Sequence, residues 1–247
     1  MNYAVYTASR NLYPDLLPAA KSLIINSSVD KIFFLIEDDK FPEELPDMIE
    51  CINVSDQKFF AKDGPNMRSR FTYLAMMRAT LAKLFPDIDR IFSLDVDTIV
   101  DKSIGDTLWK LPLDDYYFSA SKEPFRTDYE KLFYTNTGVA MYNLKKLRDG
   151  KVDEVIAELN RKQYSFLEQD VFNYLCQGHI LDMPSCYNAN DWTMPTYDKK
   201  IVHYAGIKEW NHYPLVAQYR SITWDRIIRW STEYRPVKID YGMLRII

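Results

Sequence analysis

The chain has 247 residues, 15% of them aromatic and 27% charged, and a formal net charge of −4. This length suits one α/β domain or two small ones, and the mild acidity without a dense basic cluster argues against nucleic-acid binding. The three cysteines, Cys51, Cys176 and Cys186, lack metal-ligand spacing and predict free thiols in a reducing compartment rather than disulfides.

The first elements alternate between strand and helix. In chain order, the patterns predict a strand in NYAVYTA, a helix in LPAAKSLIIN, strands in KIFFLIE and ECINVS, one long helix in RFTYLAMMRATLAKLF and a strand in RIFSLDV. Such alternation indicates an α/β fold with a parallel sheet wound with helices. In sheets of this kind, ligands bind beyond the carboxyl ends of the strands.

Two acids, Asp95 and Asp97, lie at such a strand end. Residues two apart in a strand point to the same face, so both carboxylates converge on one cation if the chain stays extended through Asp97. Paired hard oxygen ligands suit Mg²⁺ or Mn²⁺ better than Zn²⁺. Capping of the next turn is the alternative role, but the position at a strand end favours a metal site.

Neither a secretory signal nor an apolar run of membrane-spanning length is visible, so we expect a cytoplasmic protein. The C-terminal residues 211–247 are rich in aromatic residues, with scattered basic ones. An amphipathic helix on a membrane surface is one interpretation of this segment, but its low basic density favours packing against the domain.

Four motifs in one order over about 200 residues resemble those of family-8 glycosyltransferases, the group containing glycogenin and bacterial lipooligosaccharide galactosyltransferases. LDVDTIV resembles the family's D-x-D strand, NTGVAMYNLKKLR its N-A-G-V-x-x-x-N-L-x-x-W/L-R segment, EQDVFN its D-Q-D/G-x-x-N motif, and VHYAG its H-x-x-G motif. The resemblance implies a GT-A fold over residues 1–210, an α/β fold with a Rossmann-like, mostly parallel central sheet flanked by helices. Residues 211–247 would form an aromatic-rich segment packed on that domain. It also implies a nucleotide-sugar donor, a divalent cation and retention at the anomeric carbon.

Carried over to this sequence, the resemblance implies that Mn²⁺ or Mg²⁺ is held by Asp95, Asp97 and His203. Without the resemblance, a lone histidine after an apolar strand is interpreted as a core residue. The implied donor contacts are Thr7, Ala8, Ser9, Asn11, Arg78, Asp95, Val96, Asn136, Gly138, Gly206 and Lys208.

Several of these positions carry alternatives or depart from the family pattern. Ser9 stands where the family has an Asp at the uracil edge, and a hydroxyl reads a base less strictly, although UDP remains the favoured nucleotide. The GIKEW run is one residue shorter than G-x-x-K-P-W and lacks its proline, which alters the register of Lys208. A surface salt bridge is the alternative role for Arg78, and a turn or bulge is the alternative for Gly138.

Gln169 and Glu168 are the candidate catalytic residues. Double displacement would require a carboxylate nucleophile, for which Glu168 and Asp170 are candidates. In the family the glutamine lies closest to the anomeric carbon, and an amide is a poor nucleophile. We therefore interpret Gln169 as an electrostatic and positioning residue in a front-face displacement. Glu168 stands where the family usually has an Asp, so its carboxylate is on a longer side chain. The LEQD run is also suited to the N-terminus of a helix, and this capping role can coexist with a catalytic one.

The acceptor site is the least specified part of the sequence. Weak candidates are Asp170, Asn190 and Trp192, because aromatic faces stack on sugar rings, although Trp192 sealing the core is the alternative. We predict metal-dependent, retaining transfer of a hexose, glucose or galactose, from a UDP-sugar to a glycan, lipooligosaccharide or protein acceptor. The alternatives are a catalytically silent sugar-nucleotide-binding protein and an NDP-sugar hydrolase. The sequence does not predict an oligomeric state.

Overall fold

The structure, a computed structural model, describes residues 1–69, 71–124 and 133–233, with side chains through residue 228. Within these residues the strands are β1 (Tyr3–Thr7), β2 (Lys31–Ile36), β3 (Ile49–Asn53), β4 (Arg90–Leu94), β5 (Thr98–Val100), β6 (Phe118–Lys122), β7 (Thr135–Asn143), β8 (Ile180–Asp182) and β9 (Ile201–His203). The helices are α1 (Tyr13–Asn26), α2 (Tyr73–Met76), α3 (Leu81–Leu84), α4 (Leu144–Leu147), α5 (Lys151–Arg161), α6 (Leu167–Leu175), α7 (Pro214–Arg220) and α8 (Trp224–Glu233).

The central sheet has the order β3-β2-β1-β4-β7-β6-β8. Its strands pair in parallel except β7, which runs antiparallel to both β4 and β6. All residues of β7 are buried, as expected for a strand covered on both faces. The predicted α/β fold with a mostly parallel sheet is confirmed, and β7 is its antiparallel exception.

Two apolar layers cover the sheet. One face packs against α1, the short β5/β9 pair and the helices α7 and α8. The other face packs against α2 to α6. Burial on both sides explains why the strand sequences are nearly continuous apolar runs rather than alternating ones.

The single long helix predicted in RFTYLAMMRATLAKLF is wrong. The segment instead forms α2, a 3₁₀ turn over Met77–Thr80, and α3. The hydroxyl of Thr80 donates to the carbonyl of Met77 at 2.8 Å, a local side-chain bond that competes with regular helical bonding. This tightened turn carries Arg78, whose side chain is buried beneath the ends of the central strands.

A second, two-stranded sheet joins distant parts of the chain. β5 pairs antiparallel with β9 so that Thr98 lies opposite His203. The Tyr204 amide also donates to the Asp97 carbonyl at 2.9 Å. This pairing places the late histidine beside the segment that follows β4.

The C-terminal helices α7 and α8 contact α1. Arg220 pairs with Asp15 at 2.8 Å, and the amide of Asn26 donates to the Tyr219 hydroxyl at 2.7 Å. Residues 234–247 of the predicted C-terminal segment lie outside the described residues, so the division of the chain at residue 210 stays a prediction. In the described part of the chain, every helix is too short or too polar to cross a membrane.

Candidate active site

The site lies where the strand order reverses. β1 has β2 on one side and β4 on the other, and its register with β4 pairs Tyr6 with Leu94. Thr7 and Asp95 therefore leave the sheet side by side. The amide of Asp95 donates to the carbonyl of Gly138 in β7 at 2.7 Å. Strand ends thus meet at the topological switch point, the usual position of a ligand crevice.

The chain does not stay extended through the two acids, so the predicted convergence by strand alternation is wrong. β4 ends at Leu94, and a turn at Val96 and Asp97 leads into β5. Val96 is buried in the core and anchors this turn. The turn, rather than the two-residue period of a strand, brings the carboxylate of Asp97 back toward that of Asp95.

Asp95, Asp97 and His203 form one cluster. The Nε2 atom of His203 lies 3.3 Å from Asp97 Oδ1 and 3.7 Å from Asp95 Oδ2. One potential ligand atom from each residue lies within 4.8 Å of the others. The imidazole is buried, while both carboxylates are partly exposed. Two carboxylates and one imidazole make a donor set that fits Mn²⁺ or Mg²⁺.

The three groups also hold one another electrostatically. Burial acts to lower the pKa of His203, but the carboxylates of Asp97 and Asp95 together raise it above its ordinary value. Burial acts to raise the pKa of Asp97, yet the facing imidazolium keeps it below its ordinary value. Without a bound cation, the histidine therefore supplies the positive charge between the two acids.

Gly138 makes room for this cluster. A Cβ at this position would lie 2.3 Å from His203 Cε1, 2.6 Å from Asp95 Oδ2 and 3.0 Å from Asn136 Oδ1. The first two separations are shorter than any van der Waals contact allows. A glycine here is therefore a packing requirement of the cluster rather than a turn signal.

Arg78 bridges the cluster to α6. Its Nη1 donates to Asp95 Oδ1 at 2.6 Å and to the Thr137 carbonyl at 3.1 Å. Its Nη2 lies 2.6 Å from Glu168 Oε1. Burial acts to lower the pKa of Arg78, but Asp95 and Glu168 raise it. The guanidinium is thus a buried cation shared by two acids, not the surface salt bridge considered as its alternative.

Glu168 lies at the opposite end of this bridge. It is 1% exposed, and burial raises its pKa to about 7, with the positive charge of Arg78 opposing the shift. A carboxyl with this pKa is partly protonated near neutrality and carries less charge than an ordinary glutamate.

This shift has a consequence for stability. The folded protein holds the proton of Glu168 more tightly than the unfolded chain, so this stabilising contribution is complete below about pH 4 and is lost as the pH approaches about 7. Glutamine does not titrate, so the Glu168→Gln variant does not lose this contribution. Between about pH 5 and pH 8, its unfolding free energy should therefore rise relative to that of the parent by on the order of 2 kcal/mol. Urea unfolding in EDTA at several pH values measures this difference. A difference that stays constant with pH would contradict the shift.

Gln169 is held at both ends of its amide. Its Nε2 donates to the Tyr134 hydroxyl at 3.0 Å, and its Oε1 accepts the Thr137 amide proton at 3.0 Å. The Tyr134 hydroxyl donates in turn to Asp170 Oδ1 at 2.5 Å. Asp170 Oδ2 accepts the Phe166 amide proton at 2.9 Å. With both oxygens of Asp170 bonded inside the protein, its geometry favours positioning of Gln169 over direct contact with an acceptor.

Backbone strain precedes these residues. Leu167, the first residue of α6, has φ of 49°, a left-handed conformation that is rare for a residue with a side chain. Its side chain is 1% exposed within the core. Such strain costs on the order of 1 kcal/mol or more and is often found at functional sites. Here it sets the start of the helical turn that carries Glu168 and Gln169.

The end of β1 supplies the remaining predicted donor contacts on that side. Ala8 is buried and donates its amide proton to the carbonyl of Leu35 at 3.1 Å. The Ser9 hydroxyl donates to Asn11 Oδ1 at 2.6 Å, and Asn11 is exposed. The Ser9–Asn11 pair therefore forms a small polar edge next to the strand-end crevice.

The other predicted residues lie on two loops near β9. Gly206, with φ of 78°, forms a turn after β9, and Lys208 is exposed in the next turn. Trp192 is 48% exposed and does not seal the core. Asn190 accepts the Trp192 amide proton at 2.8 Å. A cavity of about 430 Å³ separates these two loops and is bordered by His203.

Sequence reasoning missed several residues of the site. Tyr134 and Thr137 hold Gln169, and Asn188 contacts His203 Nδ1 at 2.8 Å. Glu123 accepts from the side-chain amide of Asn136 at 2.7 Å. Tyr134 and Thr137 lie beside Asn136 in YTNTG, so proximity to a motif was an available signal for these two residues. Asn188, in the run CYNAN, and Glu123 lie outside the four motifs.

The fold and the site define a glycosyltransferase with the GT-A fold. Residues 4–213 match the family model described as glycosyl transferase family 8, and the chain belongs to this family. The resemblance recognised from the motifs is thereby confirmed.

Two relatives illustrate the relationship in sequence. A glycosyltransferase of Haemophilus influenzae is 24% identical over an alignment of length 237, and the match covers 83% of this chain and 72% of the relative. A lipopolysaccharide 1,2-glucosyltransferase of Escherichia coli is 31% identical over an alignment of length 183, and the match covers 62% of this chain and 53% of the relative.

Solved structures show the same fold. The galactosyltransferase LgtC, in complex with donor and acceptor sugar analogues, matches with a TM-score of 0.70 at 20% identity, over 94% of this chain and 99% of that one. The glycosyltransferase GlyE of Streptococcus pneumoniae matches with a TM-score of 0.69 at 19% identity, over 94% of this chain and 63% of that one.

Proposed function

We propose that this chain is a metal-dependent, retaining hexosyltransferase that moves glucose or galactose from a UDP-sugar to a hydroxyl of a glycan, lipooligosaccharide or protein acceptor. The observation that carries the proposal is the cluster of Asp95, Asp97 and His203 at the switch point of the sheet. The sequence relative named a lipopolysaccharide 1,2-glucosyltransferase supports a hexose donor and a saccharide acceptor.

The cluster suits a nucleotide diphosphate. A divalent cation bound there would act as a Lewis acid that stabilises the charge of the departing diphosphate. Asp95, Asp97 and His203 would hold it, and Arg78 would keep Asp95 oriented through its bond of 2.6 Å. The ends of β1 and β4 lie side by side, so the nucleoside is proposed to bind along residues 7–11.

The cavity between the two late loops is the proposed acceptor site. It holds about 430 Å³ and borders His203, next to the proposed diphosphate position. Its lining includes Asn190 and Tyr213, and the rings of Tyr204 and Tyr213 lie 5.0 Å apart. Amides and aromatic faces are the groups that bind sugar hydroxyls and stack on sugar rings.

Retention is proposed to follow a front-face displacement. The acceptor hydroxyl attacks the anomeric carbon on the face that the diphosphate leaves, and the departing phosphate oxygen accepts its proton. Gln169 is held at both ends of its amide, which fixes its dipole but gives it no nucleophilic oxygen of useful strength. Glu168 is paired with Arg78, and its raised pKa of about 7 leaves part of the carboxyl protonated near neutrality, so a free nucleophilic carboxylate is not the only form present.

Gln169→Ala should therefore lower turnover by about 10- to 100-fold, the loss of a positioning contact rather than of a nucleophile. Initial rates with the preferred nucleotide sugar measure this effect. Intact-mass spectrometry of the parent and of Gln169→Glu incubated with the donor distinguishes the two chemistries. A sugar adduct on the parent, mapped to Glu168 or Asp170, would overturn the front-face displacement. An adduct confined to Gln169→Glu would support it.

Nucleotide binding should require the cation. We expect calorimetry to detect UDP binding in Mn²⁺ and to find it weakened by at least about 100-fold in excess EDTA, because the diphosphate would then face two bare carboxylates. Equal affinity in EDTA would contradict the proposed metal site.

A screen of UDP-glucose, UDP-galactose and other nucleotide sugars with Mn²⁺ then tests the donor. The product separates the alternatives, because release of free hexose without transfer to any saccharide indicates an NDP-sugar hydrolase. Binding without turnover of any donor indicates a silent sugar-nucleotide-binding protein.

A further inference from the structure

A buried amide connects the proposed metal ligand to β7. Asn188 is 0% exposed, and its Oδ1 lies 2.8 Å from His203 Nδ1. At its other end, its Nδ2 donates to Asn136 Oδ1 at 3.0 Å and approaches the Asn136 carbonyl at 3.3 Å. One side chain thus contacts both the imidazole and the residue proposed to face the donor sugar.

The orientation of this amide is determined by its neighbours. Its oxygen also accepts from Asn190 Nδ2 at 2.9 Å, while its nitrogen faces two oxygens of Asn136. A flipped amide would oppose nitrogen to nitrogen at one end and oxygen to oxygen at the other. An oxygen facing His203 Nδ1 requires a proton on that nitrogen. When the ring is neutral, its lone pair is therefore on Nε2, the nitrogen that faces Asp95 and Asp97, as a metal-binding imidazole requires.

Asn136 is itself part of a continuous network. Its Oδ1 also accepts the Gly138 amide proton at 3.0 Å, and its Nδ2 donates to Glu123 at 2.7 Å. The bonds of Asn188 therefore set the ring orientation of His203 and the side-chain orientation of Asn136 together. The glycine that makes room for the cluster belongs to the same network.

We propose that Asn188 is a positioning residue that fixes the imidazole of His203 for cation binding and couples it to Asn136. The inference rests on the proposed metal-dependent function. Removal of a partner of this kind typically weakens metal affinity by about 10- to 100-fold. An aspartate in its place keeps an acceptor for His203 but loses the donor to Asn136.

Three variants test the assignment. Asn188→Ala removes both bonds, and Asn188→Asp keeps the bond to His203. Asn66→Ala removes another buried amide, 1% exposed, which donates to the carbonyl of Leu159 at 2.6 Å and lies outside the proposed site. The dissociation constant of Mn²⁺ is measured for each protein, with UDP present, from the electron paramagnetic resonance signal of free Mn²⁺. Thermal melting in EDTA reports stability separately.

We expect Asn188→Ala to bind Mn²⁺ about 10- to 100-fold more weakly than the parent, and Asn188→Asp to stay within about threefold of the parent. Asn66→Ala should melt lower yet bind Mn²⁺ as the parent does. Parent-like Mn²⁺ affinity in Asn188→Ala, or equal weakening in Asn66→Ala, would overturn the assignment. If Asn188→Ala does not fold, a loss of more than about tenfold in Asn188→Asp overturns it instead. A parent that does not bind Mn²⁺ refutes the proposed function itself, and the measurement on the parent separates the two failures.

Discussion

Asp97→Asn should abolish detectable Mn²⁺-dependent binding of UDP and lower transfer by at least about two to three orders of magnitude. Asp97 Oδ1 is the carboxylate oxygen nearer to His203 Nε2, at 3.3 Å against 3.7 Å for Asp95. An amide oxygen is a weaker ligand for a hard cation, and the substitution removes one of the two anionic groups of the cluster. Asp95 also accepts a hydrogen bond from Arg78, so part of its negative charge is already balanced by the guanidinium. The carboxylate of Asp97 is therefore the one more available to a cation.

The fold should survive this change. The substitution removes the ion pair with His203 but also relieves repulsion between two neighbouring carboxylates. We therefore expect the melting temperature of the metal-free variant to stay within a few degrees of that of the metal-free parent. Asp101→Asn is the matched control, since Asp101 follows β5 outside the cluster. A metal-free Asp97→Asn that melts far below the metal-free parent would show that this acid is structural.

Gly138→Ala should have a comparable effect through sterics alone. The added Cβ would lie 2.3 Å from His203 Cε1 and 2.6 Å from Asp95 Oδ2, so the imidazole and the carboxylate must both move. The amide of Asp95 donates to the carbonyl of Gly138 at 2.7 Å, which prevents the backbone from moving freely away. We expect Mn²⁺ affinity and turnover each to fall by at least about 100-fold, because ligands displaced by 1 Å no longer converge.

The same variant should fold with a modest loss of stability. Gly138 does not have a positive φ, so alanine is compatible with its backbone, and overpacking of this kind typically costs about 1–3 kcal/mol. Circular dichroism and thermal melting measure the stability, and Mn²⁺ resonance measures the site. Parent-like Mn²⁺ affinity in a folded Gly138→Ala would show that His203 and Asp95 can move aside, against the tight packing seen around the cluster.

Local patterns in the sequence by themselves determined the first four strands of the central sheet. The apolar runs NYAVYTA, KIFFLIE, ECINVS and RIFSLDV were sufficient to predict β1, β2, β3 and β4. Their alternation with helical patterns predicted the α/β architecture. Asp95, Asp97 and His203 were found because each lies in a short motif whose order along the chain is specific. Apolar runs and motif order can be read without knowledge of distant contacts, which is why the first strands and the grouping of these three residues could be predicted.

Only the tertiary structure decided how those residues meet. The pairing of β5 with β9 and the contact of Arg78 with Glu168 each join segments that are far apart in sequence. The turn at Val96 is local, but the strand pattern around it predicted an extended chain instead. The helix that carries Arg78 is broken at a 3₁₀ turn where the Thr80 hydroxyl donates to the Met77 carbonyl, although the propensity of the surrounding residues favours a continuous helix. Asn188 has no motif of its own, and its importance depends on which two atoms its amide contacts. Hydrogen-bond partners of buried polar groups depend on three-dimensional packing, and one sequence carries no direct record of them.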